Sequence, residues 1–157
     1  MDGQDKQRAY QAAIGRIAAL IAGETDAIAV MATVVCELHQ SFAAFDWTGF
    51  YRVVGPELLK VGPYQGGHGC LAIPFERGVC GAAARSRQTQ VVADVTQFPG
   101  HIACSATTRA EIVVPVLDPA GELVAVLDVD SNRAGAFDEI DRVNLEAICA
   151  LVGNDAS

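Results

Sequence analysis

The first forty-odd residues carry their apolar positions at helical spacing. Tyr10, Ile14, Ile17, Leu20 and Ile21 recur every three or four residues, which predicts an amphipathic helix. The stretch "GETD" breaks the pattern, and Ile28, Met31, Val35 and Leu38 then define the face of a second helix. From there the period shortens to that of strands. "DWTGFYRVV" is rich in aromatic and β-branched residues, and "LLKVG" follows it after the turn-like "GPE". "GCLAIPF" reads as a short buried strand ended by Pro74, "GVCGAAARSR" as a short helix of small residues, and "QTQVVADV" as a further strand. "TQFPGHIACSATTRA" is weakly patterned and reads as a long loop. "EIVVPVLD" and "ELVAVLDVDS" form a hairpin across "PAG". "FDEIDRVNLEAICALVG" is a final helix, capped by Asp138, with Phe137, Ile140, Val143 and Ile148 facing inward. Helices then flank a mainly antiparallel sheet of five or six strands, an α+β arrangement with no βαβ series.

Composition narrows the setting. The chain has 157 residues, 51% of them hydrophobic, the size of one ordinary domain over residues 1–157 with a core of its own. Its formal net charge of -8 repels phosphate backbones and anionic lipid, so nucleic acid and membrane surfaces are excluded as partners. The N-terminal apolar stretch is interrupted by Arg16 and lacks the basic start of a signal peptide. No stretch approaches the roughly 18 apolar residues of a membrane span. The expected location is the cytoplasm, where thiols stay reduced unless they do redox work. Five cysteines, an odd count, do not suit a static disulfide framework.

The cysteines divide by context. Cys36 and Cys149 lie in apolar helical stretches and read as small buried hydrophobes. Cys80 falls in the first turn of the helix after "ERG", where the helix N-terminus should lower a thiol's pKa; the alternative is a packing residue. Cys70 follows Gly66, Gly67 and Gly69, so backbone can crowd its sulfur, unless it simply opens a buried strand. Cys104 sits in the long loop, three residues after His101. His68, Cys70, Cys80, His101 and Cys104 are all potential zinc ligands, but no C-x2-C pair exists, and no metal or other cofactor is expected. A G-x-S-x-G elbow and a phosphate-binding loop are both missing from the sequence.

Acids and aromatics add to this. Asp128 and Asp130 stand two apart in a strand, so both side chains leave the same face. Like charges this close raise the pKa of one acid and make a proton donor or a cation trap, unless both belong to a solvated strand end. Glu111 opens the preceding strand of the same hairpin. Trp47, Gly49 and Tyr51 share one strand face, and the glycine leaves room for a slot between the two rings.

Together "DWTGFY", "GPYQG", "IPFERGVCG", "FPGHIAC", "EIVVP" and "VLDVDS" resemble the free methionine-(R)-sulfoxide reductases, single GAF-domain enzymes. The resemblance runs in order from about Trp47 to the final helix. It implies a GAF-like fold and reduction of the free amino-acid sulfoxide. It implies that Cys104 is the catalytic cysteine, Cys70 the resolving one and Cys80 the third redox cysteine. Glu111, Asp128 and Asp130 are implied as the acids that bind and protonate the substrate, and Trp47 and Tyr51 as the aromatics around its methyl sulfoxide end. A thioredoxin-type reductant and a homodimer are the implied partners. From the residues alone, Cys80 and Cys104 rank level as nucleophile. The rival reading is a non-enzymatic GAF sensor of a small ligand or of redox state, which would need a signalling domain for which 157 residues leave no room.

Overall fold

Alternation along the strands sorts the residues onto two faces of one sheet. The computed structural model describes residues 1–101 and 105–155. In chain order the elements are α1 (Gly3–Ile21), α2 (Ala27–Ser41), β1 (Trp47–Gly55), β2 (Leu58–Gln65), β3 (Ala72–Pro74), α3 (Gly78–Ser86), β4 (Gln90–Val92), β5 (Ala110–Leu117), β6 (Leu123–Ser131) and α4 (Glu139–Asp155). A 3-10 turn, Val95–Gln97, follows β4. The six strands run in the order β3-β2-β1-β6-β5-β4, and each neighbouring pair is antiparallel. The expected α+β architecture is therefore present with six strands.

Phe50, Ile112, Val114, Ala125, Leu127 and Val129 point to one face and form the main core with α1, α2 and α4. Tyr51, Val113 and Val126 point to the other face, where α3 packs through Val79, Cys80, Ala83 and Ala84. Asp138 caps α4 as expected: its Oδ1 accepts from the backbone N–H of Ile140 at 3.0 Å.

Four expectations are corrected. Leu20 and Ile28 are 64% and 51% exposed, because the buried stripe of α1 runs through Tyr10, Ala13, Ile17 and Ile21 and that of α2 through Val30, Met31, Val34, Val35 and Leu38, leaving both residues on the outer faces. Val143 is 52% exposed, and the inward stripe of α4 passes instead through Asp141, Leu145, Ile148 and Val152. Asp141 is tolerated inside because it is paired on both oxygens. The Tyr10 hydroxyl donates to Oδ1 at 2.6 Å, and Lys6 Nζ donates to Oδ2 at 2.8 Å. Finally, β3 is a three-residue edge strand with only Ile73 buried, since Pro74 cannot extend the ladder.

Candidate active site

The acids owe their position to strand register. Trp47 on β1 pairs with Asp130 on β6, and Asp130 pairs with Glu111 on β5, so one row crosses three strands. The next row holds Gly49, Asp128 and Val113. All these side chains leave the sheet on the α3 face. Glu111 is 7% exposed and Asp128 4% exposed, which rules out the solvated strand end. Asp128 Oδ1 and Asp130 Oδ1 are both buried without a hydrogen-bond partner among the described residues. Buried polar atoms are normally satisfied, so these two point to a ligand that supplies donors.

Helix α3 brings the thiol of Cys80 over the acids. Its Sγ and one carboxylate oxygen each of Glu111 and Asp128 lie within 4.8 Å of one another. The expectation of a lowered thiol pKa fails here. Cys80 is in the first turn, but it is fully enclosed, and burial and then Asp128, Glu111 and Asp130 push its thiol well above the ordinary range. Desolvation and three acids outweigh the helix terminus.

Burial also raises the carboxyl pKa values, with unequal force. Glu111 is pushed well above the usual range by burial and then by Asp128 and Asp130. Asp130 is pushed well above it by burial and then by Asp128. Asp128 is raised by burial too, but Glu111, Cys80 and His101 partly counter the rise. Asp128 is thus the acid best able to hold a negative charge, while Glu111 and Asp130 keep protons. His101 closes one side, its Nε2 lying 3.7 Å from Glu111 Oε1. Burial lowers its pKa, so its imidazole is neutral at pH 7.

These groups line a cavity of about 470 Å³. Trp47 and Tyr51 form one wall, but no slot opens between them. The rings stack directly, centroids 5.7 Å apart, because the indole lies flat over Gly49. Trp47 Nε1–H donates to the Gly67 carbonyl at 2.9 Å, which ties the indole to the glycine-rich loop. A Cβ on Gly49 would stand 2.5 Å from both the indole and Tyr64 Cβ. Gly49→Ala is therefore expected to cost about 1–3 kcal/mol of stability and to raise KM by displacing Trp47, as urea melts and initial rates would show.

Of the residues singled out in the sequence, Trp47, Tyr51, Cys80, Glu111, Asp128 and Asp130 all meet at this cavity. Cys70 is half-buried in the loop between β2 and β3. Cys104 lies outside the described residues. Asp46, Ser105, Thr107, Thr108 and Asn132 also line the cavity and were not singled out. Asp46 directly precedes Trp47, and Asn132 follows Asp130 by two, so the paired ends of β1 and β6 were the available signal. The group Cys80, Glu111 and Asp128 has metal-ligand geometry, but a deeply protonated acid and thiol make it a poor cation cage without further ligands.

Sheet order and cavity are those of a GAF domain, and residues 23–154 match the GAF domain family. The chain is 42% identical over 149 residues to GAF domain-containing protein A of Dictyostelium discoideum, covering 95% of this chain and 93% of that one. It is 39% identical over 132 residues to the free methionine-R-sulfoxide reductase of Escherichia coli, covering 84% and 79% of the two chains. The X-ray structure of the free methionine-R-sulfoxide reductase of Neisseria meningitidis in complex with its substrate superimposes with a TM-score of 0.92 at 38% identity, covering 99% of this chain and 92% of that one. The chain belongs to the GAF-domain family and, within it, to the free methionine-(R)-sulfoxide reductases.

Proposed function

We propose that residues 1–157 form a single catalytic domain that reduces free methionine-(R)-sulfoxide to methionine. The observation that carries the reading is the enclosed trio Glu111, Asp128 and Asp130, with two unpartnered carboxylate oxygens beside an aromatic wall. A sulfoxide sulfur is weakly electrophilic until its oxygen accepts a proton. Glu111 or Asp130, held neutral by burial, donates that proton. Asp128, the acid whose rise is partly countered, holds the α-ammonium. Trp47 and Tyr51 pack the methyl end.

The Cys104 thiolate attacks the sulfoxide sulfur. The substrate S–O bond breaks as its protonated oxygen moves to the Cys104 sulfur; that sulfur gives up two electrons, methionine leaves as the thioether, and Cys104 becomes a sulfenic acid. Cys70 condenses with it and expels water, giving a Cys70–Cys104 disulfide. Cys36, Cys80 and Cys149 are free thiols, and Cys36 and Cys149 lie on helices away from the cavity. Cys80 cannot supply a thiolate where it stands, which favours Cys104 as nucleophile and leaves Cys80 as a reserve thiol. A thioredoxin-type dithiol restores the thiols by exchange. The working unit is a cytoplasmic homodimer, a reading supported by Leu20 and Ile28, left exposed on the two N-terminal helices. No described helix is long and apolar enough to cross a membrane.

The test is NADPH consumption with thioredoxin and its reductase, supplying each diastereomer of methionine sulfoxide in turn. Turnover is expected with the free R form. The S form and N-acetylated or internal peptide sulfoxides should fall by at least about a hundredfold, since a fixed donor meets the oxygen of one diastereomer and an acylated amine carries no charge. Comparable rates on the S form would defeat the reading. A pure sensor would bind the sulfoxide and consume no NADPH.

A further inference from the structure

The two ends of an amino-acid substrate meet very different surroundings in this cavity. Four carboxyls line it: Asp46, Glu111, Asp128 and Asp130. No lysine or arginine lines it among the described residues. His101 faces Glu111 on β5 and Asp128 on β6, and is neutral at pH 7. His68 stands exposed at the mouth. The other polar lining groups, Ser105, Thr107, Thr108 and Asn132, are uncharged.

Such a lining selects for a cation. Asp128 Oδ1, buried and without a partner among the described residues, is an acceptor waiting for N–H donors, which an ammonium has and a carboxylate lacks. A substrate carboxylate would enter a site already rich in acids with no side-chain cation to offset it. What remains for that end is hydroxyls, the Asn132 amide and the backbone N–H of Val79 in the first turn of α3, since that of Gly78 is already donated to the Gly100 carbonyl at 3.1 Å. All of these donate to a neutral carbonyl oxygen as well as to a carboxylate.

We propose that this site recognises its substrate through the α-ammonium alone, so that α-amino sulfoxides with an uncharged carboxyl end, such as methionine amide (R)-sulfoxide, are a second substrate class. The inference rests on the reductase reading above. Covalent chemistry is the same: the sulfoxide oxygen passes to a cysteine sulfur and the thioether departs, with the amide group untouched.

The experiment compares kcat/KM for free methionine-(R)-sulfoxide, its carboxamide and the N-acetyl derivative, using thioredoxin recycling. It is run at pH 7, where an α-amine of pKa about 7.7–8.0 is mostly protonated. The expected result is a carboxamide value within tenfold of the free acid, with the N-acetyl compound lost. A drop of more than tenfold for the carboxamide, with the free acid turned over normally, overturns the inference and leaves the reductase reading intact. If the free acid itself is not turned over, the reductase reading fails first.

Discussion

Cys104→Ser is expected to abolish reduction, whereas Cys70→Ser still releases methionine once. The nucleophile carries out the oxygen transfer, and a serine hydroxyl is too basic to replace its thiolate at neutral pH. Where enzymes use a single activated nucleophile, its loss costs on the order of 10⁶ in kcat. Loss of Cys70 acts one step later. Sulfenic acid forms on Cys104, about one methionine leaves per site, and recycling stalls. Mass spectrometry after one equivalent of substrate should find a Cys70–Cys104 disulfide in the wild type. In Cys70→Ser it should find a trapped sulfenic acid, or a Cys80–Cys104 disulfide if α3 opens enough to release its enclosed thiol. A methionine burst that survives Cys104→Ser but not Cys80→Ser would make Cys80 the nucleophile and reverse the assignment.

The acids should separate catalysis from stability with opposite signs. Asp128→Asn, Asp130→Asn and Glu111→Gln each remove a proton donor or a charge, and turnover should drop by about 10²–10⁴-fold. The same changes should stabilise the empty protein at neutral pH. All three carboxyls have raised folded-state pKa values, with burial as the first cause. Above the unfolded pKa, near 4 for an ordinary carboxyl, the unfolded chain ionises while the folded one still holds protons. Stability therefore falls as pH rises from that point until the folded groups themselves ionise. Each pKa unit of difference is worth about 1.4 kcal/mol, and about 1 kcal/mol moves Tm by about 2–4 °C in a chain this size. Melts at pH 8 should show the amide variants above the wild type, with the gap closing towards pH 4. A variant that loses both activity and stability at pH 8 would show that its acid holds the fold together.

Much of the fold and of the acid cluster is legible in the sequence. Alternation in "EIVVPVLD" and "ELVAVLDVDS" placed Glu111, Asp128 and Asp130 on one hairpin, because the two-residue period assigns the face directly. What alternation cannot say is whether that face is covered. With Ser131 and Asn132 following, the sequence leaves a solvated strand end open as the alternative for Asp128 and Asp130, and α3, folding back over the sheet, encloses Asp128. The Cys80 thiol failed for the same reason: its place in a first turn is a local property, while three acids and full enclosure are supplied by distant strands. The missing slot has a different cause. Sequence shows that Gly49 leaves space, but not that Trp47 itself fills it. Val143 and Asp141 exchanged roles in α4 because the partners of Asp141, Tyr10 and Lys6, lie more than a hundred residues away.

The β5–β6 connection sits at the far end of the hairpin from the acids. It closes with the Asp118 and Glu122 backbones bonded at 2.9 Å and Gly121 at φ 85°. Moving the register by one residue would swap every side chain across the sheet. Asp128 and Asp130 would then face α1, α2 and α4, and Leu127 and Val129 would line the cavity. The length of a solvent-exposed turn therefore encodes which residues are chemically active some eight residues away. Mutational drift should show this as an asymmetry: apart from Gly121, with its positive φ, and Asp118, whose Oδ1 accepts from the Ala120 and Glu122 N–H groups, the turn residues are free to vary in kind, but their number is as tightly held as the acids themselves.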